Sequence, residues 1–192
     1  MPDPSTKSRK TEAARAQPVR ILGIDPGSRH TGYACVERRG SRLVSLVHGR
    51  LSPPRDAPLE RRLVVLADGL RDLVETHRPE VAVLESLFRG VNPRSLIVLA
   101  QARGALLLTL ASCGVPIAEY TPAEIKTALT GNGRADKQQV ARMVSLILGL
   151  GPKPLPADAS DALAVAICYS QRRRVDRLAG RRGVPRDVVD PP

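Results

Sequence analysis

The sequence predicts an α/β domain with a five-stranded mixed sheet, three strands antiparallel and two more running parallel, and helices on both faces. Three observations predict it. Two apolar runs, one into Asp25 and one from Pro79 into Glu85, each end in a single acid. Two further strand-like runs follow the first of them across short turns, which makes an antiparallel meander. Leucines at helical spacing then separate the meander from the second acid-ending run, and a helix between strands argues for a parallel crossover. The two acids therefore belong at the same end of neighbouring strands, where open sheets build their sites.

Taken in order, Ile21-Leu22-Gly23-Ile24 reads as a buried strand delivering Asp25 to a Pro26-Gly27 turn. An Asp before such a turn commonly bonds its own backbone, so alone it is as readable as a turn residue as a ligand. His30 to Glu37 and Arg42 to Gly49 are the second and third strands. Leu59, Leu63, Leu66, Leu70, Leu73 and Val74 line one face of an amphipathic helix. Pro79 to Glu85 is the fourth strand, and the loop after it carries Phe88, the sole Phe, beside Arg89. A lone Phe is usually core, but a ring among polar and Gly residues also suits base stacking.

Asn92-Pro93 starts a helix running to about Ser112, apolar around most of its circumference, which predicts a second partner for it: a homodimer face. Val115 to Tyr120 is the fifth strand. Thr121-Pro122-Ala123-Glu124 opens a short helix in capping-box form, carrying Lys126. A Gly-rich loop with Arg134 leads into a helix from about Asp136, with Lys137 in its first turn. Only five of the 30 basic residues are lysines, and two of the five flank this loop, where an ammonium suits phosphate as well as solvent. The last helix is rich in alanine and opens with Asp158 and Asp161, three apart and so on one face. Acids in a first turn also suit the helix dipole or a cap.

At 192 residues and 42% hydrophobic, the chain can bury one core. Arg103 interrupts the longest apolar run, so no membrane span is expected. Cys35, Cys113 and Cys168 read as reduced core thiols, and with no secretory leader the expected location is cytoplasmic. The net charge of +11 divides into +3 for residues 1–20, +4 for residues 170–192 and +4 for the body, which favours a polyanionic partner. The expected division is a disordered basic extension over 1–19, a folded domain over 20–172 and a flexible basic tail over 173–192. Four carboxylates converging at one rim of a basic protein would repel unless divalent cations neutralised them, and oxygen donors suit Mg²⁺ or Mn²⁺. Two such ions can serve phosphodiester hydrolysis, so the site reads as that of a metal-dependent nuclease.

The runs G-I-D-P-G-S-R-H-T-G, L-E-S-L-F, Q-A-R-G, E-Y-T-P-A-E-I-K and D-A-S-D-A-L-A-V-A-I resemble the RuvC family of Holliday-junction resolvases, in order and spacing, from about residue 20 to residue 170. The resemblance implies an RNase H-like fold, a homodimer, and paired Mg²⁺-dependent nicks in a four-way DNA junction delivered by RuvA with RuvB, in recombination and repair. It implies that Asp25, Glu85, Asp158 and Asp161 bind two Mg²⁺ ions, with Asp25 bridging them, and that the products carry 5′-phosphates. It further implies that Phe88 stacks on bases and that Lys126 and Lys137 serve catalysis and junction contact. Ser28, Arg29, Arg89, Arg94 and Arg134 are further expected DNA contacts by position. Two rivals stand beside it: the phosphate-binding turn of actin-like and sugar kinases, which needs two such lobes, and an RNase H-like nuclease acting on RNA or a binding-only junction module.

Overall fold

A computed structural model describes residues 18–27, 29–86, 93–151 and 154–178. The elements follow as β1 (Val19–Asp25), β2 (Thr31–Arg39), β3 (Arg42–Leu51), α1 (Leu59–His77), β4 (Val81–Glu85), α2 (Pro93–Ser112), β5 (Ile117–Tyr120), α3 (Pro122–Thr130), α4 (Lys137–Leu148) and α5 (Ala157–Leu178). The sheet order is β3-β2-β1-β4-β5. β1 pairs antiparallel with β2, and β2 with β3, whereas β4 runs parallel to β1 and β5 parallel to β4. The mixed sheet and its crossover through α1 are those the sequence predicts.

Strand ends differ by a few residues, for local reasons. Pro79 has no N–H to offer a ladder and Glu80 bends to bond the Arg20 carbonyl at 2.9 Å, so β4 begins at Val81. The Val115 N–H is spent on the Leu110 carbonyl at the end of α2, which delays β5 to Ile117. The last helix continues beyond residue 172 to Leu178.

The period-two alternation of the strands sorts the core into two layers. Ile21, Val81, Val83, Ala118 and Tyr120 pack under α3, α4 and α5. Leu22, Ile24, Ala82 and Leu84 pack under α1 and α2. Cys35 and Cys168 are buried free thiols, pushed up by that burial to about 11 and about 12.

Helix α5 lies unusually close to the sheet. A Cβ on Gly23 would fall 2.1 Å from the Ala162 carbonyl, and one on Gly32 would fall 2.0 Å from the Asp158 carbonyl. Alanines at 159, 162, 164 and 166, all buried, keep the helix side of this contact equally thin.

By length and composition α2 is long and apolar enough to cross a membrane, which corrects the expectation that Arg103 breaks the run. With Arg94 and Arg103 the only charges in 20 residues, the segment keeps a high mean hydropathy. In the fold, Arg103 is turned inward and buried, as a charge in such a helix must be if it is to find partners. Outside, Ile97 and Leu108 are 60% and 69% exposed, the apolar face the sequence predicts.

Gly23→Ala should therefore cost about 1–3 kcal/mol in urea unfolding, since α5 has to lift from β1 to admit the methyl group. Unchanged stability would mean that the helix does not pack as closely as described.

Candidate active site

Asp25 and Glu85 are the last residues of β1 and β4. The parallel register sets Ile24 opposite Leu84, so the two acids come side by side. Alternation then turns both towards α5, on the face shared by Ile21 and Val83. Across the other edge of β1, Asp25 pairs with Gly32, whose missing side chain admits the backbone of Asp158. Asp161 follows one turn along α5.

The four acids share one electrostatic neighbourhood. Burial first, and then Asp161, Glu85 and Asp158, together push the Asp25 carboxyl up to about 7, with Lys137 opposing them. Glu85 is also raised, by burial and then by Asp161, against the pull of Lys137 and Lys126. Among the described residues no three His, Cys, Asp or Glu side chains close into a shell able to hold a metal as they stand. Like charges in a partly dry site keep apart, and one of the four already has a cation. Lys137 Nζ donates to Asp161 Oδ2 at 3.1 Å, a contact that holds the lysine's own pKa above its ordinary value.

The position of that lysine is set by its helix. Asp136 caps α4, with its side chain accepting from the Gln139 N–H and the Gln139 side chain returning to Asp136, so Lys137 is the first helical residue. Thr121 and Glu124 cap α3 the same way and carry Lys126 to the site. Glu85, Asp161, Lys126 and Lys137 line one cleft of about 180 Å³, floored by Ile125, Val140 and Ala164. An all-carboxylate donor set in excess over its lysines fits hard divalent cations, which favour oxygen ligands.

Of the other predicted contacts, Arg29 is exposed at the turn after Asp25, Arg94 in the first turn of α2 and Arg134 in the loop before α4. Ser28, Phe88 and Arg89 lie outside the described residues. Sequence reasoning missed the work of Arg103, whose Nη1 donates to the Glu85 carbonyl at 2.8 Å while Nη2 pairs with Glu119. The signal was present: a single charge inside an apolar helix needs a buried partner.

The model of the family described as crossover junction endodeoxyribonuclease RuvC matches residues 21–169 of this chain. The chain belongs to the RuvC family. Family membership makes it a nuclease and decides against the kinase reading of the Asp25 turn. A RuvC relative from Moorella thermoacetica is 45% identical over 165 residues, 84% of this chain and 99% of the relative. One from Ralstonia pickettii is 49% identical over 152 residues, 79% of this chain and 83% of the relative. Thermus thermophilus RuvC, solved in complex with a Holliday junction substrate, superposes with a TM-score of 0.78 at 31% identity, covering 82% of this chain and 96% of that one. A yeast mitochondrial Holliday junction resolvase, at 14% identity and a TM-score of 0.60, shares the fold.

The raised carboxyl has a consequence for stability. A folded-state pKa near 7 against 3.8 unfolded means that Asp25 supports the metal-free fold fully below about pH 4 and that this support is lost as the pH rises through 7. Asp25→Asn should therefore stabilise the protein in EDTA by roughly 1–4 kcal/mol at pH 8 and by far less at pH 4. Denaturant melts at the two pH values decide it; a destabilised variant at pH 8 would sink the reading.

Proposed function

We propose that this protein resolves four-way DNA junctions by metal-dependent hydrolysis, placing paired symmetric nicks on opposite strands. The observation that carries the reading is the partly buried Asp25 at a strand end beside Glu85 and under the start of α5 with Asp158 and Asp161, in a member of the RuvC family. Asp25, Glu85, Asp158 and Asp161 would hold two Mg²⁺ ions, with Mn²⁺ as a substitute. Bound there, such ions supply an activated water and charge stabilisation on the scissile phosphate.

The chain's own groups do the rest. Asp25 ends the strand between β2 and β4 and acts electrostatically with all three other acids, so it would be the residue shared by both cations. Lys137, held against Asp161, keeps one ammonium at the cleft for a phosphate oxygen, and Lys126 lines the same cleft. Arg29, Arg94 and Arg134 extend positive charge around it, and Ser28, Phe88 and Arg89 are assigned to the junction by their place in the chain. The exposed Ile97 and Leu108 of α2 would meet a second copy, giving one site for each nicked strand. Delivery by RuvA with RuvB, in the cytoplasm that holds a bacterial chromosome, completes the proposal. The folded unit is assigned to 19–178, wider at each end than the 20–172 expected from the sequence, with the basic segments beyond it adding salt-sensitive DNA affinity.

A panel of four-way junction, linear duplex and structured RNA, with and without Mg²⁺, tests the substrate class. Cleavage should be confined to the junction with metal and leave 5′-phosphate ends. In the same assay Asp25→Asn should keep junction binding and lose at least about 10³-fold in cleavage, and Phe88→Ala should lose more cleavage than binding. Normal cleavage by Asp25→Asn removes that residue from the mechanism.

The α2 face has its own test. Sedimentation at micromolar concentration should show a dimer that Leu108→Glu turns into a folded monomer. A strictly monomeric parent protein would end the dimer proposal.

A further inference from the structure

We infer that Arg103 is a positioning residue for Glu85, acting on the backbone of β4 from the opposite face of the sheet; the inference rests on the role proposed above for Glu85. The two faces are fixed by alternation. Ala118 and Tyr120 of β5 pack on the α5 side, while Ile117 packs against the other layer, so Glu119 points towards α2. There it pairs with Arg103, which is 7% exposed. The Glu85 carboxylate points the other way, into the cleft with Asp161 and the two lysines. The sheet separates guanidinium from carboxylate, and Arg103 reaches Glu85 through the backbone, with Nη1 donating to the Glu85 carbonyl at 2.8 Å.

That carbonyl needs a donor because of the turn after Asp25. With Ile24 opposite Leu84, continuing the parallel ladder would require residue 26 to donate to the Glu85 carbonyl. Residue 26 is Pro26, which has no N–H. The proline that diverts β1 away from the site thus leaves the neighbouring strand with an open acceptor, and Arg103 fills it from α2. The other half of the same peptide unit, the Ser86 N–H, donates to the Tyr120 carbonyl at 2.9 Å. The peptide that follows Glu85 is therefore held at both its polar ends. This fixes the backbone from which the carboxylate projects, against neighbours of the same charge that push it away.

The test compares R103M, the double variant R103M/E119M and V74A, a core truncation on α1 far from the cleft. The double variant removes the stranded Glu119 charge with the donor, so it carries the test should R103M not fold. Metal binding is read without DNA, as the Mg²⁺ concentration that gives half the Mg²⁺-induced rise in Tm. Loss of Arg103 should raise that midpoint roughly tenfold, as removal of a group orienting a metal ligand does. Single-turnover junction cleavage at saturating Mg²⁺ should fall about 10- to 100-fold, with junction affinity in EDTA within about twofold of the parent. R103K, which keeps a cation for Glu119 without the planar fork, should fall between. V74A should lose Tm and keep both the Mg²⁺ midpoint and the cleavage rate. If the Arg103 variants behave like V74A, the residue is structural only and the inference is overturned. E85Q separates the two levels: an active E85Q sinks the site itself, whereas an inactive E85Q beside normal R103M/E119M cleavage sinks only the role of Arg103.

Discussion

The close contact of α5 with β1 and β2 is the constraint on which the site depends. Two of the four acids come from strand ends and two from a helix, and a helix with ordinary side chains beneath it would carry its acids out of reach. Gly23 and Gly32 leave no Cβ where the Ala162 and Asp158 carbonyls lie, and the buried alanines of α5 complete the fit. Helix packing sets this distance, and so it also sets how strongly the carboxylates act on one another.

That proximity works against the empty fold. Asp25 is partly withdrawn from water with three acids around it, and its carboxyl is raised to about 7 as a result. Structural ion pairs elsewhere go the other way. Glu37, buried at the far end of β2, accepts from Arg20 and Arg39 and is held below the usual carboxylate range. One molecule therefore contains a buried acid compensated by arginines, which ties strands together, and a partly buried acid surrounded by its own kind. The difference lies in whether arginines were placed beside it.

Much of this was legible in the sequence. Two apolar runs ending in one acid, separated by a helix, fixed both the parallel pair and the shared rim of Asp25 and Glu85. The Thr121 and Asp136 capping boxes placed Lys126 and Lys137 in their helices. What stayed hidden depended on pairing across the sheet. Nothing local to Arg103 says that it reaches the Glu85 carbonyl; that follows only once Pro26 is known to lie opposite residue 86. The starts of β4 and β5 were misplaced because backbone donors at Glu80 and Val115 are taken by neighbours distant or behind in the chain. Spacing likewise gave the four acids a common place, but not the gap they keep between them or the lysine standing in it.

That lysine changes what cation binding means for this molecule. With its ammonium on Asp161, the resting site already contains a tethered positive charge, carried by the first residue of a capped helix. If Asp161 holds a divalent ion as proposed, that ion would compete with the ammonium for the carboxylate, while the helix would keep the ammonium at the mouth of the cleft. A displaced ammonium would then stand beside the cleft where the proposed reaction needs a cation for phosphate.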